Sequence, residues 1–410
     1  MFSNKNFSVF FFGQSVSTIG DGFQQIALVF LVLQLGGGGV ELALAQSALV
    51  APRIVSLIWG GVLVDRLNVK HILWGTDIFR FFITIVLLYF LYIENMAFIL
   101  LYVLLFLSGL ASGLFYPAFN SIVPHIVEKE KLEKANSWVQ SISQTAILIG
   151  PPLAGLLVGS AGVMAGFFVN ALTFLFAGVS GLFIKVKKEV QDKGLKSRVW
   201  QEFVDGFRYI WRVKWLFNLL VVDLFVSFAI VGPLTVVLPL YSEETLNLGG
   251  GQLGLVMSAY GTGSVIGMFT VPKIKERYKS LHSFYVLQAL QGLVLLLLAI
   301  QSLPVVLTVL CFVGIFNGIS NVILISKIHS SVSLDWLGRT MSFVSLASFG
   351  SVPLSQLAAG GLMNILSSSL IFIFASIIMF VAGTIGFSIS HKQNNIDVGD
   401  TRKISEHNSL

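Results

Sequence analysis

Five ionisable side chains sit inside long apolar runs of the sequence: Asp21, Arg53, Asp77, Arg80 and Asp223. A charge at such a position is costly unless it meets a partner or water, so each is either held by a counter-ion or handles a solute or a proton. Asp77 and Arg80 are three residues apart, the spacing at which side chains meet on one helix face, and are expected to form a structural pair. At 1.5 Å per residue, Asp21 and Arg53 fall at similar depth, roughly 20 Å from one membrane surface. Asp21 therefore either pairs with Arg53 or exchanges a proton under its influence. It is the first candidate for a proton-carrying or cation-binding group. Asp223 enters its own run by eight residues and faces either a cavity or the basic segment before it.

The elements that position these groups follow from composition. The 410 residues are 55% hydrophobic and 11% charged, where soluble domains carry about a quarter charged. One water-soluble core could not hide that apolar surface, and a lipid bilayer is the solvent that fits. Runs long enough to span roughly 30 Å of hydrocarbon recur along the chain. They lie near 8–35, 42–63, 71–92, 97–118, 138–159, 163–184, 215–240, 251–272, 282–301, 304–326, 341–362 and 367–389. The expected fold is an all-α membrane protein of twelve transmembrane helices in two six-helix, pseudo-symmetric bundles. The first run is too long for the apolar part of a cleaved leader and carries Asp21, so it reads as helix 1. The lone cysteine, Cys311, permits no internal disulfide and reads as a core filler.

Charge placement gives the orientation. Of 26 basic residues, 24 fall at the N-terminus, in even-numbered loops or in the tail; the other two are Arg53 and Arg80. Glu41, Glu94, Glu243 and Glu244 occupy the odd loops. Positive residues stay on the cytoplasmic side, which puts both termini in the cytoplasm of a multi-pass plasma-membrane protein. The same alternation explains the net charge of +6 without nucleic acid. The expected divisions are an N-terminal bundle over 1–184, a cytoplasmic linker over 185–214, a C-terminal bundle over 215–390 and a disordered tail over 391–410. Within the linker, the stretch from Trp200 to Trp215 mixes Trp, Phe and Ile with Arg and Glu, as an amphipathic helix on a membrane surface does.

Two motifs narrow the class. The loop between helices 2 and 3 runs Gly60-Gly61-Val62-Leu63-Val64-Asp65-Arg66-Leu67-Asn68-Val69-Lys70. It resembles the major facilitator superfamily signature G-x-x-x-D-R-x-G-R-K at Gly61, Asp65, Arg66 and Lys70. Asn68 replaces the second glycine, tolerable because Asn adopts the left-handed conformation. Val69 replaces the arginine, which thins the charge network. Gly61 permits close helix approach, and Asp65 can cap a helix or pair with a cation. Asp77 and Arg80 lie just beyond this conformational-switch loop. In helix 5, Ala146 to Gly155 resembles the antiporter motif G-x-x-x-G-P-x-x-G-G of drug exporters, matching at Gly150, Pro151 and Gly155. Gly-Pro bends a spanning helix and frees backbone carbonyls. Small pairs at Gly109/Gly113, Gly155/Gly159, Gly263/Gly267 and Gly314/Gly318 allow close helix packing.

The finer resemblance is to the twelve-helix drug:proton antiporter branch that includes macrolide-efflux proteins and the enterobactin exporter. It rests on Gly13-Gln14-Ser15-Val16-Ser17-Thr18-Ile19-Gly20-Asp21, on Pro52 to Arg66, and on Val123-Pro124 with Ala135-Asn136. It implies alternating access, with proton entry driving the exit of hydrophobic or amphipathic molecules, macrolides or a siderophore among them. The implied partners are a small-molecule substrate, protons and the bilayer, with the chain a monomer that needs no cofactor. Phe23, Phe30, Phe115, Tyr116, Phe225, Phe228 and Tyr260 are candidates to line an apolar cavity. Rival readings are a nutrient symporter of the same fold and a polytopic protein that transports nothing. The latter would show no polar-lined central cleft, with Asp21 facing packed side chains. No P-loop, HExxH or paired-cysteine spacing is present, so neither an ATP-driven pump, an enzyme nor a metal site is expected.

Overall fold

A bilayer offers no water to backbone N–H and C=O groups, so each apolar run must satisfy them internally as a helix. The computed structural model describes residues 2–66, 68–185, 199–244, 250–275 and 280–407, and the regular structure of these residues is helical throughout. Helices α1 (Lys5–Gln34), α2 (Gly39–Arg66), α3 (Val69–Tyr92) and α4 (Phe98–Ser121) follow one another at short intervals. A short α5 (Val123–Ile126) leads to α6 (Leu132–Ala161) and α7 (Val163–Leu182). Next come α8 (Val199–Arg212), α9 (Lys214–Gly232), a π turn over Pro233–Val237, α10 (Leu238–Glu244) and α11 (Gly250–Thr270). The chain ends with α12 (Leu281–Leu295), α13 (Leu303–Ser331), α14 (Leu334–Gly350), α15 (Val352–Leu362) and α16 (Ser368–His407).

The connections follow local chemistry. Asn4 caps α1 by accepting from the Phe7 N–H at 3.2 Å. Gly162 joins α6 to α7 at φ 84°, which a residue without Cβ adopts freely. The expected break at Glu94-Asn95 is the turn between α3 and α4, where Glu94 takes φ 53°.

Among the described residues, ten helices are long and apolar enough to cross a membrane, against the twelve expected. Two of the expected spans miss for identifiable reasons. Of the 30-residue α6, only the shorter apolar stretch Ile149–Ala161 lies wholly among the described side chains. The run over 341–362 is broken at Ser351, just before Pro353, into α14 and α15, each under 18 residues. Large apolar side chains such as Phe82, Ile99 and Phe269 are exposed on these helices, which a lipid-facing surface explains.

The chain divides into two compact units, one of residues 1–194, 234–261 and 356–366, the other of 195–233, 262–355 and 367–410. In the first, small residues bring helices together. A Cβ on Gly20 would lie 2.8 Å from the Thr173 Cβ of α7, and one on Gly181 the same distance from the Trp74 Cβ of α3. An apolar cluster of Phe7, Phe10, Leu73, Phe119 and Ile122 packs the end where α1 and α3 begin and α4 finishes. In the second unit, Gly263 and Gly318 face backbone of α13 and α11 respectively, so the glycine pairs bring these two helices together.

The bend after α9 is braced by a distant hydroxyl. Pro233 has no N–H to donate, and the helix widens to a π turn. The Ser355 Oγ accepts from the Gly232 N–H at 2.7 Å and donates to the Phe228 carbonyl at 2.5 Å. Ser355 is buried, so water cannot replace it there. Ser355→Ala is expected to destabilise the protein by about 1–3 kcal/mol, the cost of leaving buried backbone groups unpaired. Thermal melting of the purified variant checks this; an unchanged melting temperature would show that the bend satisfies itself.

Candidate functional site

The buried ion pair comes first, because the rest is arranged around it. Asn68 opens α3 by accepting from the Lys70 N–H at 3.0 Å. The next turns carry Asp77 and Arg80 on one face, buried to 0% and 3% exposure. Their carboxylate and guanidinium are in direct contact, as the three-residue spacing suggested. Gln14 of α1 donates from Nε2 to the second Asp77 oxygen at 3.1 Å. The guanidinium also lies against two rings, Phe115 of α4 at 4.5 Å and Phe174 of α7 at 4.3 Å. A desolvated cation gains substantially from such faces. Burial of this arginine is therefore offset by one carboxylate and two aromatic rings.

Asp21 adds a second carboxylate to the same cation. Its Oδ1 lies 3.7 Å from Arg80 Nη1, yet its side chain is 53% exposed. Its nearest cation is thus Arg80, with Arg53 a second positive charge acting on it. Helix α6 approaches α1 beside it. A Cβ on Gly22, the next residue, would lie 3.0 Å from the Gly150 Cα, so α1 and α6 meet at bare backbone beside Asp21. The two carboxylates have different roles open to them. Asp77 is sealed and fully occupied. Asp21 is more loosely held and accessible, so it can gain or lose a proton without breaking the Asp77–Arg80 pair.

Arg53 of α2 lies over the Tyr116 ring of α4 at 5.4 Å. Its position comes from the close approach of α2 and α4, where a Cβ on Gly109 would be 2.7 Å from the Pro52 ring. Both Arg53 and Tyr116 are exposed side chains within spanning helices. Asp21, Arg53 and Tyr116 therefore provide a carboxylate, a fixed cation and an aromatic ring from three helices of one unit.

Other expected site residues are placed differently. Helix α2 runs through Asp65 and Arg66, but the side chains of Gly61, Asp65 and Arg66 lie outside the described residues. Lys70 donates to the Leu182 carbonyl at 2.7 Å, so it binds the C-terminal end of α7. Asn68 is not left-handed: its φ of −68° and ψ of 116° are extended, and it acts as the cap of α3. In the antiporter-motif helix, Pro151 and Gly155 contact α11, where a Cβ on Gly254 would lie 2.8 Å from the Pro151 oxygen and 3.0 Å from the Gly155 Cα.

Asp223 belongs to the other unit. Ser348 of α14 donates to its Oδ2 at 2.9 Å, so α9 and α14 share a half-buried carboxylate deep in the apolar sequence. Of the proposed cavity aromatics, Phe23 is buried in the core and Phe225 is 52% exposed. Phe115 serves as a platform for Arg80 rather than as plain apolar lining. The sequence reading missed the parts played by Gln14, Phe174 and Ser348. Gln14 carried a weak signal, being an amide in an apolar run, whereas Phe174 resembles any other lipid-facing ring. Among the described residues, no group of three His, Cys, Asp or Glu side chains could hold a metal ion.

Comparison with known proteins follows the same lines. A model of the Major Facilitator Superfamily matches residues 10–355. Macrolide efflux protein A of Streptococcus pyogenes is 25% identical over 258 residues, which cover 62% of this chain and 63% of that protein. The chain thus spans less than two thirds of that relative's length. The multidrug efflux pump Tap of Mycolicibacterium fortuitum is 22% identical over 381 residues, covering 89% of this chain and 91% of that protein. Among solved structures, the nucleoside transporter NupG superposes with a TM-score of 0.76 over 94% of this chain and 99% of that one. At 10% identity this is a likeness of fold alone.

Proposed function

We propose that this chain, which belongs to the major facilitator superfamily, is a proton-coupled exporter of hydrophobic or amphipathic small molecules, with Asp21 as the group that carries the proton. Membership makes it a secondary transporter of the multi-pass membrane class, not an enzyme. The observation that carries the finer reading is the half-exposed Asp21 carboxylate beside a buried arginine already neutralised by Asp77. A carboxylate so placed changes the charge of the site by one without loosening the helices around it. Exposure of Asp21 also counts against a protein that transports nothing, which would have packed it away.

Export is supported by the antiporter-motif residues Gly150, Pro151 and Gly155, and by relatives named for macrolide and multidrug efflux. Arg53 and Asp223 complete the set of coupling groups, and Gly61, Asp65, Arg66 and Lys70 form the switch loop with the Asp77–Arg80 pair beyond it. In this reading α6 and the pair α14–α15 cross the bilayer, which restores twelve spans in two six-helix bundles. The distribution of Lys and Arg puts both termini in the cytoplasm.

The protein reconstituted into vesicles tests the proposal. A labelled macrolide or a hydrophobic dye is expected to accumulate against its gradient when a pH gradient is imposed, with protons moving the opposite way. A protonophore should abolish accumulation. Accumulation that ignores the pH gradient would sink proton coupling, and solute moving with the protons would identify a symporter instead.

A further inference from the structure

Helix α8 offers a second surface that the transport site does not use. Its buried side, through Gly206 and Ile210, packs against the helices next to it. Tyr209 stacks on Trp336 of α14 at 4.7 Å with the rings 3° from parallel, and Phe207 meets Phe343 at 6.2 Å. Trp211 lies edge-on to Phe217 of α9 at 4.8 Å. Helix α8 is therefore fixed to its unit and is no loose linker.

Fixed in this way, it leaves two stripes open. Phe207 and Trp211, one helical turn apart, remain 47% and 61% exposed. Beside them, also a turn apart, are Arg208 and Arg212, with Lys214 just beyond; all three are exposed. The only acid among the described side chains of 204–214 is Asp205, in an exposed pair with Arg208 at 3.9 Å, so the stripe keeps a net positive charge. Lys327 of α13 lies over the Trp215 ring at 5.9 Å and adds a fourth cation near the start of α9.

Exposed aromatic rings next to exposed cations match the acyl–headgroup boundary of a membrane. A zwitterionic headgroup would accept the rings but gain little from the positive charges, whereas an anionic one gains from both. We propose that the Phe207–Trp211 and Arg208–Arg212–Lys214 stripes of α8 form a binding surface for anionic phospholipid headgroups.

Tryptophan quenching tests this on the full-length protein in phosphatidylcholine vesicles, where acyl-brominated phosphatidylglycerol or acyl-brominated phosphatidylcholine is added at equal mole fraction. The Trp211 contribution is obtained by comparison with Trp211→Phe. Brominated phosphatidylglycerol is expected to quench it at the lower mole fraction. The R208Q/R212Q/K214Q variant should need roughly fivefold more phosphatidylglycerol for each charge removed. The R208K/R212K variant, which keeps the charge, should retain the preference. Equal quenching by the two lipids, a preference that survives the triple glutamine variant, or a Trp211 that neither lipid reaches would each overturn the proposal. The readout needs no cargo and no proton gradient, so failure of the export reading would leave it standing.

Discussion

Replacing Arg80 by methionine is expected to cost about 3–5 kcal/mol, because it leaves Asp77 as an uncompensated charge inside the protein. Asp77 is wholly buried, and Gln14 alone would then face its carboxylate. The variant should accumulate poorly in the membrane and melt well below the wild type. The companion substitution reverses most of this loss. Removing both charges, as Asp77→Leu with Arg80→Met, is expected to restore accumulation, since a buried pair replaced by apolar groups of similar volume is often close to neutral. Methionine suits the slot between Phe115 and Phe174, where its sulfur meets two rings. Transport should remain lost in the double variant, because Asp21 no longer has a cation beside it. Membrane accumulation, melting temperature and vesicle transport separate the two effects. A double variant that melts as low as Arg80→Met would mean that the pair itself, and not the stranded carboxylate, stabilises the bundle.

What the sequence revealed of this site follows a physical division. Spacing within one helix is legible, so the Asp77–Arg80 pair is found from a three-residue interval. Depth is legible too, because each residue adds a constant rise. Rotation of one helix against another is not, since it depends on packing from several helices together. Asp21 and Arg53 were therefore paired by depth alone, whereas the cation in contact with Asp21 is Arg80 on a third helix. Similarly, Gly232-Pro233 signals a bend in α9 by itself. The hydroxyl that satisfies it belongs to Ser355, 123 residues away from Gly232. Asn68 shows that a motif match can mislead about local shape. Read as a stand-in for glycine, it seemed to need a left-handed turn, but the chain uses its side chain as a helix cap. The run over 341–362 was long enough by count, and Pro353 was the sign that it would break.

Asp21→Asn is expected to abolish concentrative, pH-driven transport while leaving the protein folded and inserted. The two carboxylates around Arg80 differ in what they can give up. Asp77 is sealed, bound to Arg80 and to Gln14, and its loss would be felt in folding. Asp21 is half exposed and 3.7 Å from the same guanidinium, so an amide there removes a loosely held charge. The stability cost should stay within about 1 kcal/mol, because Asp77 still neutralises Arg80. Transport should fall at least tenfold, a rise of about 1.4 kcal/mol in the rate-limiting barrier. Loss of activity alone would not separate proton carriage from a positioning role, so the pH profile decides. The residual rate of Asp21→Asn should be flat where the wild type responds to pH, and Asp21→Glu should restore the response. An Asp21→Asn protein that still concentrates cargo on a pH gradient would remove Asp21 from the coupling step. Asp223, whose carboxylate accepts from the Ser348 hydroxyl, would then be the group to substitute next.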